Sequence, residues 1–162
     1  MLVQNGPGEI ARTSATDFGM KIQATYEYKA PPEKVFSALI DPAVLQKCIE
    51  GCEQMEKIGE DCYDAKLRIG VAGVKGNYTG KVRITEKKPP ESFILQAEGN
   101  GAPGWVKGTA RIQISPKGEG SELQCDADGQ VGGLIAAVGS RLVEAAGKKM
   151  LQGFLRKLEE LL

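Results

Sequence analysis

A chain of 162 residues, 41% hydrophobic and 26% charged, suits one domain with a sizeable core. Lys plus Arg and Asp plus Glu balance at 21 each. No global field therefore draws it to DNA or RNA, where phosphate contacts dominate affinity. The absence of histidine excludes Ser-His-Asp and Cys-His catalysis and any histidine-ligated metal.

Residues 1–19 show neither helical nor strand periodicity; Gly6-Pro7-Gly8 and Thr13-Ser14-Ala15-Thr16 interrupt them. They read as an added leader or a disordered arm, with one domain over 20–162. From Lys21 the pattern alternates: Ile22, Ala24, Tyr26 and Tyr28 face one side, and Lys21, Gln23, Thr25 and Glu27 the other. Pro31-Pro32-Glu33 starts a short helix bearing Val35, Phe36, Leu39 and Ile40. Asp41-Pro42 stops it and caps a second, bearing Val44, Leu45 and Ile49, which Gly51 closes.

About six strands follow. Ala65, Leu67 and Ile69 alternate with charged residues, and Val74, Gly76, Tyr78, Gly80, Val82 and Ile84 share a face. Beyond the Lys88–Glu91 turn, Phe93, Leu95 and Ala97 alternate. Strands over Val106–Ile114 and Leu123–Val131 flank a turn at Pro116–Gly120. Short turns and one polar face imply an antiparallel meander. One long helix, Leu134–Leu161, ends the chain; its apolar face rotates between the halves, and Gly147 and Gly153 mark a place to bend. The expected fold is α+β: a curved sheet of about seven strands around that helix, with two short helices after strand 1.

Gly76, Gly80, Gly108 and Gly129 fall on the core face of this sheet. Interior strand glycines mark sharp bends or close approach. They leave two readings open: a concavity not filled by the protein, of the size of a small-molecule site, or tight packing of the helix. The inward polar groups are the hydroxyls of Tyr26, Tyr28 and Tyr78 and the Cys125 thiol, while Glu27, Asp126 and Asp128 face out. With no titratable group inside to move a proton, binding is favoured over catalysis. The expected cavity lining is Tyr28, Leu67, Ile69, Val74, Tyr78, Phe93, Leu95, Trp105, Leu134, Val138 and Leu142.

Cys48-Ile49-Glu50-Gly51-Cys52 lacks the closer pair and the further ligands of a zinc site. The four cysteines read as reduced, small apolar residues of a cytoplasmic protein, with no metal and no cofactor. No apolar run approaches the ~20 residues of a membrane-spanning helix. Arg141, Lys148, Gln152 and Arg156 make a mostly basic helix stripe, ordinarily a solvated face and alternatively a contact for an anionic membrane or partner.

From Met20 onward the chain resembles the CoxG-type proteins, named for the G subunit of carbon monoxide dehydrogenase, in the START-like, SRPBCC, helix-grip superfamily. The resemblance lies in Ala30-Pro31-Pro32-Glu33-Lys34-Val35-Phe36, Leu39-Ile40-Asp41-Pro42 and Cys48-Ile49-Glu50-Gly51-Cys52-Glu53. It continues in Gly76-Asn77-Tyr78-Thr79-Gly80-Lys81-Val82, Pro89-Pro90-Glu91-Ser92, Gln130-Val131-Gly132-Gly133 and Gly139-Ser140-Arg141-Leu142-Val143. It implies an accessory role beside a CO-dehydrogenase-like molybdenum hydroxylase. The protein would carry a hydrophobic molecule, quinone or lipid-like, or attach the enzyme peripherally to the inner membrane face. Glu50 stands where the family usually has Pro. Some members continue into a C-terminal membrane tail, whereas this chain stops at Leu162, which favours soluble carriage. The superfamily also implies two alternatives, a cyclase- or aromatase-like enzyme and a ligand-free assembly factor.

Overall fold

The computed structural model describes residues 17–162. Residues 1–16 of the expected leader lie outside the described residues. Strand β1 (Phe18–Tyr28) is followed by α1 (Pro32–Leu39), α2 (Pro42–Cys48), β2 (Cys52–Gly59) and β3 (Cys62–Ile69). Then come β4 (Gly76–Lys88), β5 (Ser92–Gly101), β6 (Gly104–Lys117), β7 (Gly120–Gly132), α3 (Leu134–Ala137) and α4 (Ser140–Leu161). The strands form one antiparallel sheet in the order β1-β7-β6-β5-β4-β3-β2, the helix-grip arrangement.

Local chemistry accounts for the boundaries. Pro32 opens α1, where its missing N–H is an orphan donor in any case. The Asp41 carboxylate caps α2 by accepting from the Ala43 N–H at 2.9 Å, worth about 1 kcal/mol. The period-two pattern of β1 appears directly in its burial, with Ile22 and Tyr28 buried and Lys21, Gln23, Thr25 and Glu27 exposed.

Three features differ from the sequence reading. Strand β1 begins at Phe18 rather than Met20, so the expected leader overlaps the sheet. Strand β2 occupies residues that the sequence reading assigns to no particular strand. Only Cys52 and Met55 of it are even partly buried, because an edge strand with two register shifts and outward charges shows little apolar alternation. The expected single C-terminal helix is two, broken at Gly139, whose φ of 104° no helix tolerates. Gly147 and Gly153, where a bend is expected, both lie inside the unbroken α4.

The core is divided. One cluster, at the α1–α2 end, gathers Tyr28, Val35, Phe36, Phe93, Leu123, Leu155 and Leu158. Within it Phe36 and Phe93 meet edge to face, with centroids 5.5 Å apart. A second holds Ile69, Tyr78, Val131, Ile135, Val143 and Ala146. This explains the rotating apolar face of the helix. Val143 and Leu155 serve different clusters, and their separation in sequence turns the buried face by about 120° at 3.6 residues per turn.

Candidate functional site

The pairing register sets the inward side chains in rows. One row runs Met20, Gly129, Gly108, Ala97, Val82 and Tyr63. Beside it run Phe18, Val131, Val106, Gly99, Gly80 and Ala65 on one flank, and Ile22, Ala127, Ala110, Leu95 and Ile84 on the other. The middle of the concave face is therefore floored by glycine and alanine. Ala97, Val106, Gly108, Ala110, Ala127 and Gly129 stay partly exposed although they point inward from central strands.

Helix α4 stands off from this floor. A methyl group at Gly108 would meet only Asp128 O at 3.2 Å and Gly129 Cα at 3.8 Å, and one at Gly99 only Thr79 O at 3.9 Å. At Gly80 and Gly129, too, the nearest atoms belong to strands. The tight approach of helix to sheet occurs instead at β1, where a methyl at Gly147 would come within 2.8 Å of Ile22 Cδ1. Farther along, the Tyr28 hydroxyl donates to the Leu155 carbonyl at 2.9 Å and the Tyr26 hydroxyl to Glu159 Oε1 at 2.7 Å. Between these anchors Met150, Leu151 and Phe154 are only partly buried.

The eleven residues expected to line a cavity fall into four groups. Tyr28 and Phe93 sit deep in the first cluster, with Leu95 packed beside them. Ile69 and Tyr78 belong to the second, with Leu67 and Val74 against it. Trp105 shares the outward parity of Lys107 and Thr109; its ring lies across Gly132, where a methyl would be 2.4 Å from the ring. Leu134, Val138 and Leu142 are exposed at 70%, 48% and 43%. Leu142 overlies Gly73, and Gly133 abuts Gly104, so three loops meet at this apolar end of the molecule. Sequence reasoning missed the small floor residues Ala97, Ala110 and Ala127 and the helix residues Met150, Leu151 and Phe154. Strand parity was the signal for the alanines, whose small size hid their importance.

The chemistry of the concave side is sparse. Burial raises the Tyr28 and Tyr78 pKa values, and it pushes the Cys125 thiol up to about 11. The Tyr78 hydroxyl donates to the Val74 carbonyl. Cys48 and Cys52 are free thiols, both raised by burial. No group of three or more Cys, Asp or Glu among the described residues could hold a metal. No helix of the described residues is long and apolar enough to cross a membrane.

Two depressions take in both outward-pointing residues of the sheet and residues of the floor rows. The larger, about 960 Å³, is edged by Lys21, Lys81, Arg83, Lys107, Glu98 and Asp128 and takes in Met20, Val82, Ala97, Gly108 and Gly129 of the floor row and Glu144 of α4. The other, about 500 Å³, is edged by Gln54, Glu56, Asp64, Lys66 and Asn100. Lys21 meets Asp128 at 3.7 Å, and Glu98 lies directly opposite both Lys81 and Lys107. Opposite charges thus cancel along a solvated face. None of the eleven expected residues lines either depression.

Known proteins share this architecture. A sequence model of the CoxG family, described as the G subunit of carbon monoxide dehydrogenase, matches residues 25–162. The crystal structure of a conserved protein from Geobacillus kaustophilus is 37% identical, with a TM-score of 0.84, covering 87% of this chain and 93% of that one. A protein from Chromobacterium violaceum is 20% identical with a TM-score of 0.63 over 88% of this chain and 97% of its own. One from Thermus thermophilus is 15% identical with a TM-score of 0.62 over 87% and 95%. The latter two bear on the fold alone. No curated protein matches the chain.

Proposed function

The chain belongs to the CoxG family, that of the carbon monoxide dehydrogenase G subunit, and on that premise we propose a non-catalytic accessory protein of a carbon monoxide dehydrogenase-type molybdenum hydroxylase. It carries an apolar small molecule, quinone or lipid-like, against the concave face of its sheet. The observation that carries this reading is the glycine and alanine floor from which α4 stands off, with nothing but strand backbone within 4 Å of a methyl at Gly99 or Gly108. Apolar surface left in such a recess is stabilised by an apolar guest, at roughly 25 cal/mol per Å² removed from water. A cyclase-like reaction is disfavoured because the Tyr28 and Tyr78 hydroxyls are tied to backbone carbonyls. Native mass spectrometry of protein purified from its own host, followed by titration with a quinone, tests the proposal. Co-purifying apolar material or saturable quinone binding supports it; ligand-free protein indifferent to quinones and lipids rejects it.

A second reading is favoured by a separate observation. The exposed Leu134, Val138 and Leu142 gather at one end, and large apolar side chains left in water commonly mark contact surfaces. On this reading that end recruits the protein to its partner enzyme or to the inner membrane face. Retention of hydroxylase subunits by the wild type but not by a Leu134→Ser, Leu142→Ser variant supports the enzyme. Co-sedimentation with phosphatidylglycerol vesicles, lost in the same variant, supports the membrane.

A further inference from the structure

The hydroxyls of Tyr26, Tyr28, Tyr78 and Ser121 on the concave side are all engaged within the protein. The Tyr28 O–H donates to the Leu155 carbonyl, Tyr78 to the Val74 carbonyl, Tyr26 to Glu159, and Ser121 to the Ala30 carbonyl at 2.7 Å. Tyr63 is buried at the β3 end of the floor row, where burial first and Asp61 next raise its pKa. The floor's backbone groups are spent in strand pairing. Among the thiols, Cys48 and Cys125 remain, both buried and both weak donors. A ligand's polar head placed here would lose its water and gain no partner, an unfavourable exchange.

We infer that the site selects its ligand by the hydrocarbon part alone, with the head left toward solvent. The ligand class is then a long-chain or polyisoprenoid amphiphile, bound with little regard to whether it ends in a quinone ring, a hydroxyl or a carboxylate. This rests on the carrier reading above. The two tyrosines that look like ligand donors are fastenings of the protein: Tyr28 holds α4, and Tyr78 holds the loop before β4.

The test is calorimetric titration of the full chain with two ligand series. In the first, 1-octanol, 1-decanol and 1-dodecanol vary the chain under one head. In the second, dodecanol, dodecanoate and a dodecyl benzoquinone vary the head on one chain. Affinity should rise about fourfold per added methylene and change less than about threefold between heads. Tyr28→Phe and Tyr78→Phe should leave the order of heads unaltered. A head preference beyond about tenfold, or one erased by either tyrosine substitution, overturns the inference while leaving a carrier intact. Binding that ignores chain length overturns it as well. Failure of every ligand to bind removes both this inference and the carrier reading.

Discussion

Replacement of Ala97 by leucine asks whether the space above the floor is empty. Ala97 points inward from β5, is partly exposed, and is flanked in its row by Val82 and Gly108. The new side chain would extend over Gly108, beside Val82 and the edge of the first cluster that Ala97 already borders. Leucine adds the equivalent of three methylene groups, each contributing about 0.8 kcal/mol when fully buried. With a partly open site the expected gain is about 1–2 kcal/mol, read as a rise of about 2–8 °C in melting temperature for a domain of this size. A filled interior would give the reverse, a loss of about 1–3 kcal/mol from overpacking. Ala146→Leu provides the comparison. Ala146 is 3% exposed, within the second cluster, and the same enlargement there should destabilise by about 1–3 kcal/mol. Chemical denaturation of both variants, with dodecanol titrated into each, decides the matter. If Ala97→Leu is as damaging as Ala146→Leu, the reasoning about an unfilled concave face is wrong.

Other substitutions probe the frame around that space. Gly51→Ala should cost at least about 1–3 kcal/mol from backbone strain alone, because Gly51 has a φ of +83° and its methyl would lie 2.2 Å from Arg68 O; unchanged urea stability would contradict this. Tyr28→Phe should lose about 0.5–1.5 kcal/mol, the net worth of one hydrogen bond, while amide exchange near Leu155 quickens. The Cys125 thiol is held neutral by burial up to about 11, above the ordinary 9.0. Its contribution to stability is present below pH 9 and is lost as the pH climbs toward 11, because only the unfolded chain ionises in that window. Melting curves of wild type and Cys125→Ala should converge across this range, and parallel curves would refute the assignment.

Much of this architecture is written in alternation. Ile22, Ala24, Tyr26 and Tyr28 declare their face without help, as do Gly76 to Ile84, because a strand with one wet side must repeat every second residue. Pro32 and Asp41 announce the short helices as clearly. Strand β2 is silent for the opposite reason: at an edge it carries charges on both faces, Glu56 outward and Lys57 on the side of Met55, which leaves Met55 almost alone to signal an inside. Apolar spacing suggests that Leu134, Val138 and Leu142 are buried, but periodicity reports a face and not whether anything covers it. Gly139 then turns the chain at the point where that spacing runs on. Trp105 shows a legible fact left unused, since its parity with Lys107 already placed it outside. The stand-off of α4 was beyond reach. Glycine on an inward face is equally consistent with contact and with emptiness, and only the position of the helix distinguishes Gly147, pressed on Ile22, from Gly108, which faces nothing of the helix.

The division of the core has a mechanical outcome. A helix resting on two supports, Val143 and Ala146 at one end and Leu155 and Leu158 at the other, behaves like a beam across a span. Its footing does not depend on what lies beneath. On the carrier reading proposed above, the vacant form should hold its shape, with loading or unloading a matter of slight flexing by Met150, Leu151 and Phe154 rather than of collapse and rebuilding.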